Sequence, residues 1–170
     1  MNKIQTKKVE VDQSVRIEEL TKDTILGIAN KQVSFTVVVS KRTKRVLREM
    51  FRVQGRTKKF APYLFAAAIV EGLKHAPFQT SDIIVDIEYP GYEREIIQII
   101  KQVYSGIEVY FTAIGKKSYA HFTAYGVYIG KRKADLRIDT KKIAEILFGE
   151  TKNGPRTVTP RNESGDSQPK

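Results

Sequence analysis

Carboxylates close two β-like runs of this chain. Asp12 ends the alternating stretch Val9-Glu10-Val11-Asp12-Gln13-Ser14, and Asp86 and Glu88 end Asp82-Ile83-Ile84-Val85-Asp86-Ile87-Glu88. A third acidic site comes late, where the basic run Lys131-Arg132-Lys133-Ala134 leads into Asp135, with Asp139 four residues further on. Three carboxylates that converge repel one another, and a hard divalent cation relieves the repulsion; oxygen ligands suit Mg2+ or Mn2+. Two such ions roughly 3.5–4 Å apart activate water and stabilise a leaving oxygen in phosphodiester hydrolysis.

Each acid also has a plainer reading. Asp12 alone reads equally well as a polar strand-end residue. Period two puts Asp86 and Glu88 on one face, and Glu88, nearer the strand end, is the preferred ligand with Asp86 as its alternate. Asp139 followed by Thr140 has the form of a helix cap, which favours Asp135 as the third ligand. Glu71 is the sole acid of an apolar helix, either an auxiliary ligand or the polar stripe of that helix. Glu10 shares the Asp12 face and could pair with a lysine. His121, set among Tyr119, Phe122, Tyr125 and Tyr128, reads as a structural histidine with proton transfer as the other role. His75 ends a helix, where its charge suits the dipole.

Charge supplies the second clue. The chain has 170 residues, with 30 Lys and Arg against 19 Asp and Glu, a formal net charge of +11. A polyanionic partner follows, DNA or RNA before an anionic membrane. Lys41, Lys44, Arg45, Arg48 and Arg52 recur at helical spacing with only Glu49 between them, and Arg56, Lys58 and Lys59 continue the stripe. These residues, together with Lys131, Arg132 and Lys133, are the candidate phosphate contacts. The absence of cysteine excludes disulfides, thiol nucleophiles and thiolate metal sites. The sequence holds no P-loop, nucleophile elbow, dinucleotide fingerprint or EF-hand. It has no apolar run long enough for a transmembrane helix and no signal-like N-terminus, so the expected location is cytoplasmic.

The elements that must position these groups follow from periodicity. Strands are predicted over 7–14, 24–30 and 32–40, with Asn30-Lys31 as a tight turn. A helix over 41–54 buries Val46, Leu47, Met50 and Phe51. A second, over 61–74, is apolar nearly all round and carries Pro62 near its first turn. A strand over 82–88, a helix over 93–104 and a strand over 107–114 follow. Residues 119–130 read as aromatic and extended, and a last helix occupies 139–149. Residues 150–170 contain three prolines and one aliphatic residue, Val158, and read as a disordered tail after a domain spanning 1–149. Removing the tail's four basic and three acidic residues leaves 26 against 16, so the positive excess belongs to the folded body.

Three hairpin-linked strands followed by two parallel strands, with flanking helices, make an α/β mixed sheet. That strand order, with an Asp ending the first strand, an acid ending the fourth and an Asp near the final helix, resembles the RNase H-like (retroviral-integrase-like) nuclease superfamily over about residues 7–148. The Ile-Glu form of the fourth-strand acid is most similar to the RuvC-type resolvases. The resemblance implies an RNase H-like fold and metal-dependent cleavage of DNA or RNA. Asp12 corresponds to the first ligand, Glu88 to the second, and Asp135, or else Asp139, to the last. Ser14 stands where members often have Gly. The expectation is thus a Mg2+- or Mn2+-dependent endonuclease. The alternative is a non-catalytic nucleic-acid-binding protein, a degenerate member of the same fold.

Overall fold

The computed structural model describes residues 2–149; the tail expected over 150–170 lies outside the described residues. The chain forms an α/β fold around a six-stranded mixed sheet. Strands β1 (Ile4–Ser14), β2 (Thr24–Ala29) and β3 (Ser34–Val39) come first. Helices α1 (Lys41–Val53) and α2 (Phe60–His75) follow, then β4 (Phe78–Asp86), α3 (Glu93–Val103), β5 (Glu108–Thr112), α4 (Tyr119–Tyr128), β6 (Leu136–Arg137) and α5 (Thr140–Phe148). The sheet order is β5-β4-β1-β2-β3-β6. β1, β2 and β3 are antiparallel neighbours, whereas β4 lies parallel to β1, β5 to β4 and β6 to β3.

Register assigns the two faces. Val11 stands opposite Ile28 on β2 and Val85 on β4, and Ile28 stands opposite Phe35. These apolar positions face α2, which packs between the sheet and the other helices; this is why its sequence is apolar on nearly every side. Gly72 permits that approach, since a Cβ there would lie 2.6 Å from Ile28 Cδ1 and 2.9 Å from Val37 Cγ2. The alternate positions, Asp12, Gly27 and Thr36, form one row on the other face. α4 crosses that row over β1, β2 and β3.

Several expectations change. β1 starts at Ile4 and β4 at Phe78, because their polar first residues, Gln5, Thr6, Gln79 and Thr80, pair with one another and show no hydrophobic alternation. β4 ends at Asp86, leaving Glu88 on the turn that follows. Residues 119–128 are helical, not extended. Ser118 caps the helix by accepting a hydrogen bond from His121 N at 2.9 Å, and the small residues Ala120 and Ala124 let it lie flat on the sheet. The Asn30 turn closes as the sequence indicates, Asn30 Oδ1 accepting from Gln32 N and Val33 N at 2.8 and 2.9 Å. Among the described residues, no helix is long and apolar enough to cross a membrane.

Candidate metal centre

The C-terminal ends of β1 and β4 lie side by side because those strands are parallel neighbours. One carboxylate oxygen from each of Asp12, Asp86 and Glu88 lies within 4.8 Å of the other two. Asp12 occupies the pleat position facing α4 and is 4% exposed. Its Oδ1 accepts from Gln13 N at 2.8 Å, and its Oδ2 lies 3.0 Å from His121 Nδ1. Asp86, the last residue of β4, accepts from Ile114 N at 2.7 Å, which ties the loop after β5 to the cluster. Glu88 reaches the group through a tight turn in which its own N–H donates to Asp86 O at 2.9 Å.

The loop between β1 and β2 braces that turn. It begins at Val15, whose φ of 66° is strained for a β-branched residue. Arg16 follows. Its Nη2 donates to Glu88 O at 2.8 Å, its Nε lies 3.9 Å from Glu88 Oε2, and its guanidinium lies over the Tyr89 ring. Behind the loop, Lys44 Nζ donates to Arg16 O, Glu19 O and Thr24 Oγ1. Burial pushes the Lys44 ammonium down to about 8, partly offset by Asp23, Glu19 and Glu18.

The cluster's electrostatics follow from crowding inside a partly closed site. Burial raises the Asp12 carboxyl and Asp86 adds to the effect, while the Gln13 N–H and His121 oppose it. Glu88 is pushed up to about 7, first by burial and then by the hydrogen bond and charge of Asp86; the Gln13 side chain and Arg16 pull the other way. Three carboxylate oxygens are a donor set for a hard divalent cation. Asp12, Asp86 and Glu88 could therefore hold a metal ion.

The other acids lie apart. Asp135 stands at the opposite side of α4, separated from Asp12 by Gly27 and Thr36 of the row, so that their backbones are roughly three interstrand spacings or about 14 Å apart. Its Oδ2 accepts from Thr36 N at 2.8 Å, Thr36 Oγ1 at 2.9 Å and Arg132 Nη2 at 3.1 Å, so it anchors the approach to β6. Asp139 caps α5, accepting from Lys141 N and Lys142 N. Glu71 lies on α2, across the sheet from Asp12, and pairs with His75 at 3.3 Å. Glu10 shares the Asp12 face without joining the cluster, and its Oε2 is buried without a hydrogen-bond partner. The residue whose place the sequence reading missed is His121. The available signal was Ser118 three residues before it, a helix cap, with Ala120 and Ala124 supplying a small-residue face.

The basic stripe is also redistributed. Lys44 is fully buried and makes no surface for phosphate, because the 15–23 loop folds over it. Arg52 is held by Glu49 at 2.6 and 2.8 Å. Lys41, Arg45 and Arg48 remain exposed. Arg48 lines a groove of about 520 Å3 together with Arg16, Lys58, Tyr92 and Glu88, so the basic helix borders the acidic cluster. Lys131 and Lys133 are exposed at the far end of α4, while Arg132 is engaged by Ser34 and Asp135. No family model, curated protein or solved structure matches the chain.

Proposed function

We propose that Asp12, Asp86 and Glu88 hold Mg2+ or Mn2+ and that the protein hydrolyses phosphodiester bonds in DNA or RNA, as an RNase H-like nuclease. The observation that carries this reading is the meeting of three carboxylates within 4.8 Å at the ends of two parallel strands, beside a groove bordered by Arg48 and Lys58. The strand order β3-β2-β1-β4-β5, with the first three antiparallel, supports the RNase H-like assignment. The bound cation would supply Lewis-acid polarisation of the phosphate and a lowered pKa for the attacking water. Arg48 and Lys58 hold flanking phosphates in the groove. Arg16 fixes the Glu88 turn, and His121 Nδ1 positions Asp12 by its 3.0 Å contact with Oδ2.

A second reading is a non-catalytic nucleic-acid binder. What favours it is that Gln13 N and His121 already satisfy Asp12 without a cation. Asp12→Asn separates the two. Branched DNA, duplex DNA, RNA–DNA hybrid and RNA hairpins are incubated with Mg2+ and with Mn2+. The nuclease reading expects wild-type cleavage of at least one substrate and its loss in Asp12→Asn, with folding and binding retained. No cleavage by pure wild type, or equal cleavage by the variant, leaves the binder.

A further inference from the structure

α4 carries no charged residue, yet it exposes four large rings: Tyr119, Phe122, Tyr125 and Tyr128 are 44–59% accessible. Its buried side, Ala120, Thr123 and Ala124, is already spent on the sheet. The accessible faces of these rings lie outside the core, and an exposed apolar surface of this kind marks a contact site.

The arrangement of the rings points to their partner. His121, Tyr125 and Tyr128 follow one another at helical spacing along one edge of α4. The His121 and Tyr125 rings are parallel within 8° at 6.0 Å, and Tyr125 and Tyr128 are 6.2 Å apart with their planes tilted by 37°. The row starts at the carboxylate cluster, where His121 meets Asp12. It ends at a second groove of about 440 Å3, where Tyr128 lines the wall with Lys22, Lys41 and Arg137. Asp23 also lines this groove, 3.7 Å from Arg137, and leaves two lysines in excess.

Planar rings in file between a cation site and a basic groove suit a ligand with alternating flat apolar faces and negative charges. A nucleic-acid strand has that chemistry, but only where its bases are unpaired; in a duplex the base faces are covered by their neighbours. We propose that the Tyr125–Tyr128 edge of α4 is a base-stacking track that holds unpaired nucleotides, their phosphates running into the Lys22–Lys41–Arg137 groove. The substrate class is therefore nucleic acid with a single-stranded segment next to the phosphate held at the cluster. This substrate assignment rests on the nucleic-acid reading above; the stacking itself requires neither metal nor cleavage.

Binding in EDTA tests the track independently of catalysis. Fluorescein-labelled oligothymidylate and a blunt duplex of equal length are titrated with wild type, with Tyr125→Ala/Tyr128→Ala and with Tyr125→Phe/Tyr128→Phe. Wild type is expected to prefer the single strand. The alanine pair should lose about tenfold in single-strand affinity per ring, leaving duplex affinity and salt dependence nearly unchanged. The phenylalanine pair, which keeps both flat faces, should stay close to wild type and also controls for folding. Equal wild-type affinity for strand and duplex overturns the proposal, as does a parallel loss for both in the alanine pair. An alanine pair that dissociates an oligomer in sedimentation while keeping single-strand affinity assigns α4 to a protein interface. Failure of every cleavage assay with the stacking pattern intact would refute the nuclease and leave the track standing.

Discussion

The crowding at Asp12, Asp86 and Glu88 has a thermodynamic signature that does not depend on finding the substrate. Unit charges 4.8 Å apart repel by about 3.5 kcal/mol at an effective dielectric of 20, and burial adds to the cost of ionising the group. The consequence is the proton that Glu88 keeps up to about pH 7, against an ordinary value near 4.5. The folded protein therefore binds a proton that the unfolded chain releases between these two values. The Glu88 contribution to stability is greatest below about pH 4.5 and is lost as pH rises through 7, with a limiting slope of about 1.4 kcal/mol per pH unit. Solvent reaching a half-buried group lowers the total to roughly 2 kcal/mol. That corresponds to roughly 4–8 °C in Tm for a chain of this size. A cation held by the three carboxylates displaces the proton and offsets the repulsion; at a hundred times its Kd it would add about 2.7 kcal/mol. Scanning calorimetry from pH 4.5 to 8, in EDTA and then in Mg2+ or Mn2+ at matched ionic strength, reads both effects. Glu88→Gln should flatten the metal-free profile and remove most of the cation response, and its difference from wild type cancels the histidines. A wild-type profile that matches Glu88→Gln, or a cation response equal at pH 5 and pH 8, refutes the reasoning.

Two further perturbations probe what surrounds the cluster. Gly27→Ala would put a Cβ 2.2 Å from Ala120 O and 3.0 Å from Ala124 N, both backbone atoms of α4. The helix must lift by about 1 Å, at about 1–3 kcal/mol in a denaturant melt, and the His121–Asp12 contact should open, which changed chemical shifts of the His121 ring protons would report; unchanged ring resonances would show that α4 does not set that contact. Arg45→Ala with Arg48→Ala should weaken binding to any nucleic acid and lower the slope of log K against log salt by up to about two, whereas an unchanged slope would move the phosphate contacts off α1.

What the sequence reveals depends on how local the cause is. β3 and α3 declare themselves through β-branched content and amphipathic spacing, and Asp12 and Asp86 are legible because each closes a periodic run. α4 is obscured by its own aromatic residues, since their bulk masks the small-residue face that Gly27, 93 positions earlier, is shaped to receive. Lys44 shows the same limit from the other side. Helical periodicity places it with Lys41 and Arg48, but periodicity does not record that the 15–23 loop lies over that part of the helix, where two of its carbonyls and Thr24 Oγ1 of β2 take the three donors. Asp135 follows a loop, where no period fixes a direction. Its carboxylate satisfies Thr36 and Arg132 instead of turning to Asp12, a choice set by where β6 joins the sheet. β6 itself has two residues, too few for any pattern.

The opposed charges of the cluster and its rim have a joint consequence for the proposed function. Under that proposal Arg48 and Lys58 would draw a phosphate backbone toward the groove, yet the same groove is lined by Glu88, which would resist a second anion unless it is protonated or shares a cation. A cation that satisfies Asp12, Asp86 and Glu88 thus removes the repulsion facing the phosphate, and a phosphate in the groove in turn completes the oxygen shell of the cation. Because the two ligands relieve each other's cost, their affinities must rise together by one common factor. The basic surface alone would give binding without regard to metal. In the proposed function it is the carboxylates recessed beside it, with Asp12 buried beneath His121, that would tie phosphate retention to the cation.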